Sequence, residues 1–209
     1  DVFQPVLSIG NPIDSDYFIA RKEGPRKETV TLVTCALLTP RKQVEKIILL
    51  ISLLRGSGVD CQLKIIGPES DVNYTNELKI QIENLGLVQS VEFLGRLNKA
   101  QIINCYAQSD IGLFFSKEET FGLVPLEMLA SGLPILATKV GVLAEEEGYF
   151  STVGVTFINV NDSVDMLSKA EGLLANRKKV DVTALREKYA VNNIVEKYEN
   201  LYLELLGDA

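Results

Sequence analysis

Short apolar runs alternate with stretches of helical periodicity along most of this chain. Strands that are buried on both faces of a parallel sheet have this continuous apolar character, so the runs predict strands. The predicted strands cover residues 29–35, 61–66, 91–94, 111–115, 135–138 and 155–160. Predicted helices cover residues 43–55, 74–85, 99–108 and 123–130, and a glycine lies close behind most of them.

This alternation is typical of βαβ units and predicts an α/β fold with a Rossmann-like, doubly wound parallel sheet of about six strands. Residues 1–28 lack clear periodicity and contain several prolines and glycines, so we expect an irregular lead-in before one domain at 29–209. The C-terminal part carries further helical patterns, at residues 164–175, 182–189 and 193–206. Ligands of such sheets bind at the carboxyl ends of the strands. The loops at that edge are 36–43, 67–72, 95–98, 116–122 and 139–147.

Composition fits a soluble globular protein and disfavours two kinds of partner. The 209 residues are 46% hydrophobic and 23% charged, with a net charge of −7 at pH 7. Such a surface repels nucleic acid and anionic lipid. The longest apolar run, residues 47–54, is much shorter than the roughly 20 residues that span a bilayer. No signal-peptide pattern or starting methionine is present, so we expect a cytoplasmic piece of a longer chain.

The cysteine and histidine content limits the kinds of metal and catalytic site that the chain can form. Cys35, Cys61 and Cys105 lie far apart in apolar runs, which predicts buried free thiols and argues against a zinc site or a disulfide framework. The chain contains no histidine. A histidine base, a histidine-containing triad and most zinc or iron sites are therefore excluded.

The strongest candidate site lies in residues 116–127. Gly122 and Leu123 open a predicted helix, whose free amide groups attract anions, and Gly122 allows a ligand to approach the backbone. Glu119 precedes this helix, where its carboxylate can face the cleft. Glu127 is the only charge in the helix, and a buried carboxylate needs hydrogen-bond donors such as the vicinal hydroxyls of a sugar. On spacing alone, an ordinary ion pair at Glu127 and a solvated Glu119 are equally good explanations.

Residues 119–138 read E-T-F-G-L-V-P-L-E-M-L-A-S-G-L-P-I-L-A-T. This segment resembles the E-x7-E block of the retaining GT-B glycosyltransferases of family 4, nearly throughout. Shorter segments are similar as well: residues 11–14 with Phe18 to the family's N-G-V-D…F, residues 91–95 to V-x-F-x-G, and residues 106–110 to Y-x-x-A-D. The similarity covers about residues 8–175 and implies the C-terminal, donor-binding half of a GT-B fold.

The resemblance implies roles for individual residues. Glu127 would bind the ribose hydroxyls of a nucleotide diphosphate sugar, and Glu119 would lie beside the transferred sugar. The amides of Phe121, Gly122 and Leu123 would contact the sugar and the diphosphate, and Gly95, Arg96 and Leu97 would line the base. No metal or other cofactor is implied, and the only Asp-x-Asp triplet, residues 14–16, falls in the lead-in.

The diphosphate side of the implied site departs from the family pattern. The family's G-R-L-x-x-x-K corresponds to residues 36–42, in which Lys42 keeps the lysine position but Leu37 replaces the arginine. Leucine offers no bidentate fork to phosphate. Arg41 could compensate from the neighbouring position, and a solvated Arg41 is the alternative interpretation.

Two other loops also depart from the family. Of the G-x-G-P segment only Gly67-Pro68 remains, and the G-G-x-x-E loop reads V-G-V-L-A-E-E from residue 140. In that loop we expect the acids at 145–147 to be a solvated run. These changes bear on donor affinity and not on the fold.

Two classes of function therefore stay open. The resemblance implies a hexosyltransferase whose missing N-terminal domain binds a carbohydrate or lipid-linked acceptor and makes any membrane contact, so residues 1–209 alone should transfer nothing. Leu37 leaves open an inactive binding or scaffold subunit of a glycosyltransferase complex. A Rossmann dehydrogenase is disfavoured because no G-x-G-x-x-G follows the first strand. A nucleotide-sugar epimerase would use titratable groups, and the absence of histidine counts against it.

Overall fold

A six-stranded parallel sheet forms the centre of the computed structural model, which describes residues 9–18, 28–176 and 179–207. The strands are β1 Val30–Cys35, β2 Cys61–Ile66, β3 Val91–Gly95, β4 Ile111–Phe114, β5 Ile135–Ala137 and β6 Val155–Phe157. Their order is β3-β2-β1-β4-β5-β6, and all neighbours are parallel. The strand order reverses between β1 and β4, as in a doubly wound sheet. The predicted fold class is confirmed.

Helices cover both faces of this sheet. They are α1 Val44–Gly56, α2 Val72–Asn84, α3 Lys99–Gln108, α4 Leu123–Ala130, α5 Val142–Glu145, α6 Glu147–Val153, α7 Ser163–Asn176, α8 Val182–Tyr189 and α9 Val191–Gly207. Polar side chains fix several starts: Asp71 and Asp181 cap α2 and α8, and Asn98 forms a capping box with Gln101 at α3. Short 3-10 turns occupy Ser15–Tyr17 and Pro40–Lys42.

The sheet separates two hydrophobic clusters. One lies between the sheet and α1, α2 and α7, and the other lies against α3, α4, α6 and α8. Successive side chains of a strand point to opposite faces, so Leu32 and Leu113 enter the first cluster while Val33 and Phe114 enter the second. Each such fully buried side chain contributes about 1.5–3 kcal/mol of hydrophobic free energy. This two-sided burial explains why the strands read as continuous apolar runs.

The predicted elements match the structure closely, with one omission. Strands and helices begin and end within a few residues of the predicted positions, and β6 is shorter than predicted because it ends at Phe157. The segment 142–153 holds α5 and α6, where no helix was predicted. Three consecutive acids and Gly148 hide the periodicity of this segment. Its inward side chains Val142, Leu143, Phe150 and Val153 are nevertheless buried.

The lead-in is more ordered than predicted where the structure describes it. Residues 9–18 contain a 3-10 turn, and Ile13 forms a parallel bridge with Ala190. Ile13, Tyr17 and Phe18 are all buried in the second hydrophobic cluster. The other residues of the lead-in, 1–8 and 19–27, lie outside the described residues.

Backbone contacts at Gly67 tie together the carboxyl ends of three strands. The Gly67 amide donates to the Gly95 carbonyl at 2.8 Å, and the Ala36 amide donates to the Ile66 carbonyl at 2.9 Å. Gly67 has a φ of +136°, and a Cβ at this position would lie 1.8 Å from the Ala36 carbonyl oxygen. Only glycine fits here. The contact fixes the loop after β1 relative to the loop after β3.

We expect Gly67→Ala to lower the free energy of unfolding by about 3 kcal/mol or more, because the new methyl group must displace the backbone. Gly56→Ala is the matched control, since a Cβ at Gly56 would meet no atom within 4 Å. Alanine at this helical position should be neutral or stabilising by up to about 1 kcal/mol. Urea denaturation followed by circular dichroism measures both, and equal stability of the two variants would contradict the assignment.

Candidate functional site

The loops after β1 and β4 meet at the point where the strand order reverses. Lys42 ends the 3-10 turn that follows β1, and its Nζ forms an ion pair with Oε1 of Glu119 in the loop before α4. The two side chains are only 14% and 13% exposed, so water screens the pair weakly. The Lys117 amide also donates to the Arg41 carbonyl at 2.9 Å, which joins the two loops through their backbones.

Two further polar groups hold Glu119 in place. Ser116 Oγ donates to the same Glu119 oxygen at 2.8 Å. Thr138 Oγ1, just beyond β5, donates to the Ser116 carbonyl at 2.6 Å. On the other side, Gln43 has a φ of 48°, the one positive value among the described non-glycine residues, and it turns the chain from Lys42 into α1. This sparsely populated backbone conformation lies directly beside the ion pair.

The start of α4 presents free amide groups beside this pair. Gly122 is the N-cap of α4 with a φ of +92°, a conformation that favours glycine. The loop after β5 contacts the segment before α4, because the Val142 amide donates a hydrogen bond to the Phe121 carbonyl at 2.9 Å. A Cβ at Gly141 would lie 2.3 Å from that carbonyl oxygen, so this close approach requires glycine. Leu123 is 42% exposed. The corner can therefore accept an anion at the helix N-terminus.

Glu127 lies on α4 as a half-buried carboxylate. Among the residues that the structure describes, no lysine or arginine forms an ion pair with it. Burial raises the pKa of Glu127, a hydrogen bond from the Tyr17 side chain opposes the rise, and the nearby Asp14 charge adds to it. The carboxylate keeps lone pairs for further hydroxyl donors.

The remaining predicted residues lie at the same sheet edge. Arg41 is on the surface, with its guanidinium 3.9 Å from the Glu118 carboxylate. Leu37 is 50% exposed in the loop that carries Lys42. Gly95 ends β3 with a φ of +63°, and its carbonyl accepts a hydrogen bond from the Gly67 amide, which lies next to the loop after β1. After it, Arg96 is exposed and Leu97 packs against the second hydrophobic cluster. The structure thus brings Lys42 and Glu119 into contact and leaves the Gly95–Leu97 loop farther along the edge.

The acidic run was predicted incorrectly at its central residue. Glu146 forms an ion pair with Lys188 of α8 and accepts a hydrogen bond from the Tyr189 hydroxyl at 3.4 Å. It therefore anchors α8 and is not simply solvated. Glu145 is exposed, as predicted, and Glu147 pairs with Lys139 at 2.6 Å at the surface.

Sequence reasoning missed Tyr17 and Ser116. A polar residue directly after an apolar strand was a signal for Ser116, whereas nothing in the aperiodic lead-in marked Tyr17. The prediction of buried free thiols is confirmed for Cys61 and Cys105, whereas Cys35 is free but only half-buried. Burial raises the pKa of the Cys35 thiol to about 11.

The described ranges offer neither a cluster of metal-binding side chains nor a membrane-spanning helix. No group of three or more histidine, cysteine, aspartate or glutamate side chains in the described ranges is placed to hold a metal ion. No helix in the same ranges combines the length and the apolar character that crossing a membrane requires.

Comparisons with known proteins agree on one family. The family model "Glycosyl transferases group 1" matches residues 16–188. N-acetyl-alpha-D-glucosaminyl L-malate synthase of Bacillus anthracis is 33% identical over 156 residues, which are 72% of this chain and 39% of that protein. Sulfoquinovosyl transferase SQD2 of Arabidopsis thaliana is 30% identical over 63% of this chain and 26% of that protein. The chain thus spans well under half of the length of these relatives.

Solved structures share the fold. HepE of Anabaena, in complex with UDP and glucose, superposes with a TM-score of 0.72 at 21% identity, over 85% of this chain and 49% of that chain. A glycosyltransferase from Rickettsia africae gives a TM-score of 0.76 at 21% identity, over 96% of this chain and 57% of that chain. At this identity the likeness concerns the fold, and it confirms the implied GT-B type of Rossmann-like architecture.

The raised pKa of Glu127 predicts that this side chain lowers stability at neutral pH. A group that binds its proton more tightly in the folded protein contributes stability at low pH, and the contribution is lost as pH rises through the folded pKa. We therefore expect Glu127→Gln to be more stable than wild type at pH 7.5, with a smaller difference at pH 5. Urea denaturation at both values measures this.

The matched control is Glu118→Gln, which removes a 74% exposed carboxylate from the preceding loop and should change little at either pH. A Glu127→Gln variant that is less stable than wild type at pH 7.5 would contradict this electrostatic account.

Proposed function

The chain belongs to the glycosyl transferases of group 1, and we propose that it binds the nucleotide diphosphate sugar donor of a hexosyl transfer. The observation that carries this proposal is the shielded Lys42–Glu119 ion pair beside the open N-terminus of α4. A cation, a set of free amides and a carboxylate at one point suit a ligand that has both phosphates and hydroxyls.

The diphosphate would bind between Lys42 and the amides at Gly122 and Leu123. Lys42 is already paired with a carboxylate, and a diphosphate carries more negative charge, so it can compete for the ammonium group. Glu119 would then be released to accept hydroxyl groups of the transferred sugar. Ser116 would continue to hold it, since its hydroxyl donates to Glu119 independently of Lys42.

The ribose would bind at Glu127, four residues into α4 and therefore about 6 Å along the helix from its start. Its half-buried carboxylate has no cationic partner in the described part of the chain and can accept both ribose hydroxyls. The base would lie toward Gly95, Arg96 and Leu97. Arg41 at the rim is a secondary candidate for the diphosphate, since its exposed guanidinium has only a distant partner in Glu118.

In the reaction we propose, the bond between carbon 1 of the sugar and the diphosphate breaks as an acceptor hydroxyl attacks, and the hydroxyl proton passes to the departing diphosphate. Negative charge grows on the leaving diphosphate, and Lys42 with the α4 amides would stabilise it by preorganised electrostatics. These groups supply the positive charge without a divalent metal. Retention of configuration, which the resemblance to family 4 implies, is part of the proposal, with the acceptor attacking on the face that the leaving group vacates.

The names of related proteins support a nucleotide-sugar donor. HepE was solved with UDP and glucose, and the Bacillus anthracis relative is named for an N-acetylglucosaminyl product. Because the chain spans 39% of that relative, we assign the acceptor site to the remainder of a longer protein, and we do not expect residues 1–209 alone to transfer sugar.

A donor screen by calorimetry tests the proposal, with UDP, UDP-glucose, GDP and GDP-mannose as ligands. We expect at least one of them to bind, and Glu127→Ala to weaken that binding about tenfold, because the ribose loses a charged hydrogen-bond acceptor. Glu118→Ala is the control and should leave affinity unchanged. Absence of binding at millimolar ligand would point instead to a scaffold subunit.

Leu37 provides a gain-of-function test. It is 50% exposed on the Lys42 loop, so an arginine can be placed there without disturbing the core. We expect Leu37→Arg to strengthen the binding of the nucleoside diphosphate identified in the screen about tenfold, since a guanidinium can pair with phosphate bidentately. The corresponding nucleoside without phosphates should bind both proteins equally. An equal gain for nucleoside and nucleotide, or no gain, would show that the diphosphate lies elsewhere.

A further inference from the structure

We propose that Ser116, held in place by Thr138, is a positioning residue that determines how tightly the sugar part of the donor binds. The inference deepens the proposed function and rests on it, because it takes Glu119 as the group that meets the transferred sugar. It divides the donor affinity into two contributions. Lys42 acts on the diphosphate, whereas Ser116 acts through Glu119 on the sugar alone.

The hydrogen bonds that hold the Glu119 carboxylate use only one of its two oxygens. Lys42 Nζ pairs with Oε1, and the Ser116 hydroxyl donates to the same oxygen at 2.8 Å. The other oxygen, Oε2, accepts no hydrogen bond from the residues that the structure describes. A carboxylate oxygen can accept more than one hydroxyl donor, so Oε2 is the atom that is available to a sugar.

The Glu119 side chain is confined at its root as well as at its tip. A Cβ on Gly141 would lie 3.1 Å from the Glu119 Cβ, and a Cβ on Gly122 would lie 3.8 Å from it. The loop after β5 and the start of α4 therefore approach this side chain closely. Because its root is confined, the position of Oε2 depends on the donor that holds Oε1.

Ser116 is a fixed donor because two strand ends hold it. It lies just beyond β4 and is 2% exposed. Thr138, just beyond β5, donates from its hydroxyl to the Ser116 carbonyl at 2.6 Å and from its amide to the Phe114 carbonyl at 3.0 Å. Lys42, in contrast, carries its ammonium on a flexible chain that can turn toward a phosphate. Ser116 is thus the donor that stays with Oε1 when the diphosphate binds.

The loss of the Ser116 hydroxyl should affect the two halves of the donor differently. Once Lys42 has turned to the diphosphate, the Glu119 carboxylate would have no fixed donor and could rotate. Only some orientations present Oε2 to the sugar hydroxyls, so more ordering entropy is lost when the sugar binds. A bare nucleoside diphosphate has no sugar at this point, and its affinity does not depend on that orientation.

Ser109 offers a matched control at the opposite end of the same strand. It directly precedes the β4 region, is fully buried, and its hydroxyl donates to the Cys105 carbonyl at 2.8 Å. Ser109→Ala therefore removes a buried, hydrogen-bonded serine hydroxyl, as Ser116→Ala does, but leaves the hydrogen bond to Glu119 intact.

The experiment compares the affinities of UDP-glucose and UDP by calorimetry in wild type, Ser116→Ala and Ser109→Ala; if the donor screen shows guanine selectivity, GDP-mannose and GDP are used. We expect Ser116→Ala to bind the nucleotide sugar about fivefold more weakly than wild type and to change the affinity for the nucleoside diphosphate less than twofold. In Ser109→Ala the ratio of the two affinities should equal that of wild type. Partial unfolding lowers both affinities by the same factor, so the ratio still reports on the sugar contact.

A pair of Thr138 variants provides a second measurement in case Ser116→Ala folds poorly. Thr138→Val keeps the shape of the side chain and removes the hydroxyl that holds Ser116. We expect it to shift the affinity ratio in the same direction by about twofold, since the backbone bond to Phe114 remains. Thr138→Ser retains the hydroxyl and should keep the wild-type ratio.

Glu119→Ala separates failure of the inference from failure of the proposed function. If wild type binds neither ligand, or if Glu119→Ala keeps the wild-type affinity ratio, the proposed role of this site in binding the sugar is wrong. If Glu119→Ala shifts the ratio while Ser116→Ala and Thr138→Val do not, only the inference about Ser116 is overturned. Equal shifts in Ser116→Ala and Ser109→Ala would also overturn it, because they would indicate a general effect of removing a buried hydroxyl near β4.

Discussion

The pairing of β1 with β4 is the constraint on which the site depends. The two strands share only a short register, Leu32 with Ile111 and Val33 with Gly112, and their following loops leave toward opposite faces of the sheet. Gly112 allows α4 to pack closely on the sheet at this point, since a Cβ there would lie 2.7 Å from Met128 Sδ on α4. The crevice that opens between the diverging loops holds the Lys42–Glu119 ion pair. Removing two charges from water is expensive, and here the Ser116 hydroxyl and the joined loop backbones offset part of that penalty.

At Glu127, unlike at the Lys42–Glu119 pair, the penalty of burying the charge is not offset by an ion pair among the described residues. A half-buried carboxylate on an apolar helix is not what packing alone would select, and the same burial raises the pKa of Glu127. Proteins retain such groups where a function requires them. The surrounding structure is correspondingly firm: the hydrophobic cluster around α4 includes the neighbouring Leu126 and Met128. The energetic disadvantage is thus confined to one side chain.

The sequence allowed most of the fold and part of the site to be predicted. Elements such as β1 and α4 follow from local periodicity, whereas the assignment of Lys42, Glu119 and Glu127 follows from the resemblance to a known family. Contacts between segments far apart in sequence, such as Lys42 with Glu119 and Glu146 with Lys188, do not follow from either. Such contacts depend on the three-dimensional path of the chain. Helices α5 and α6 were missed for a different reason, since acidic residues and a glycine mask their few inward apolar positions.

The Lys42–Glu119 ion pair also determines how the empty site behaves toward dissolved salt. A bare lysine in this crevice would attract small anions, which an arriving ligand would have to displace. Glu119 already neutralises the ammonium from inside the protein. Under the proposed function, an incoming diphosphate would replace Glu119 as the partner of Lys42 and would displace few free ions. Recognition at this point should consequently be less sensitive to ionic strength than at an exposed cationic phosphate site, because the shielded pair keeps its own counter-ion in the fold.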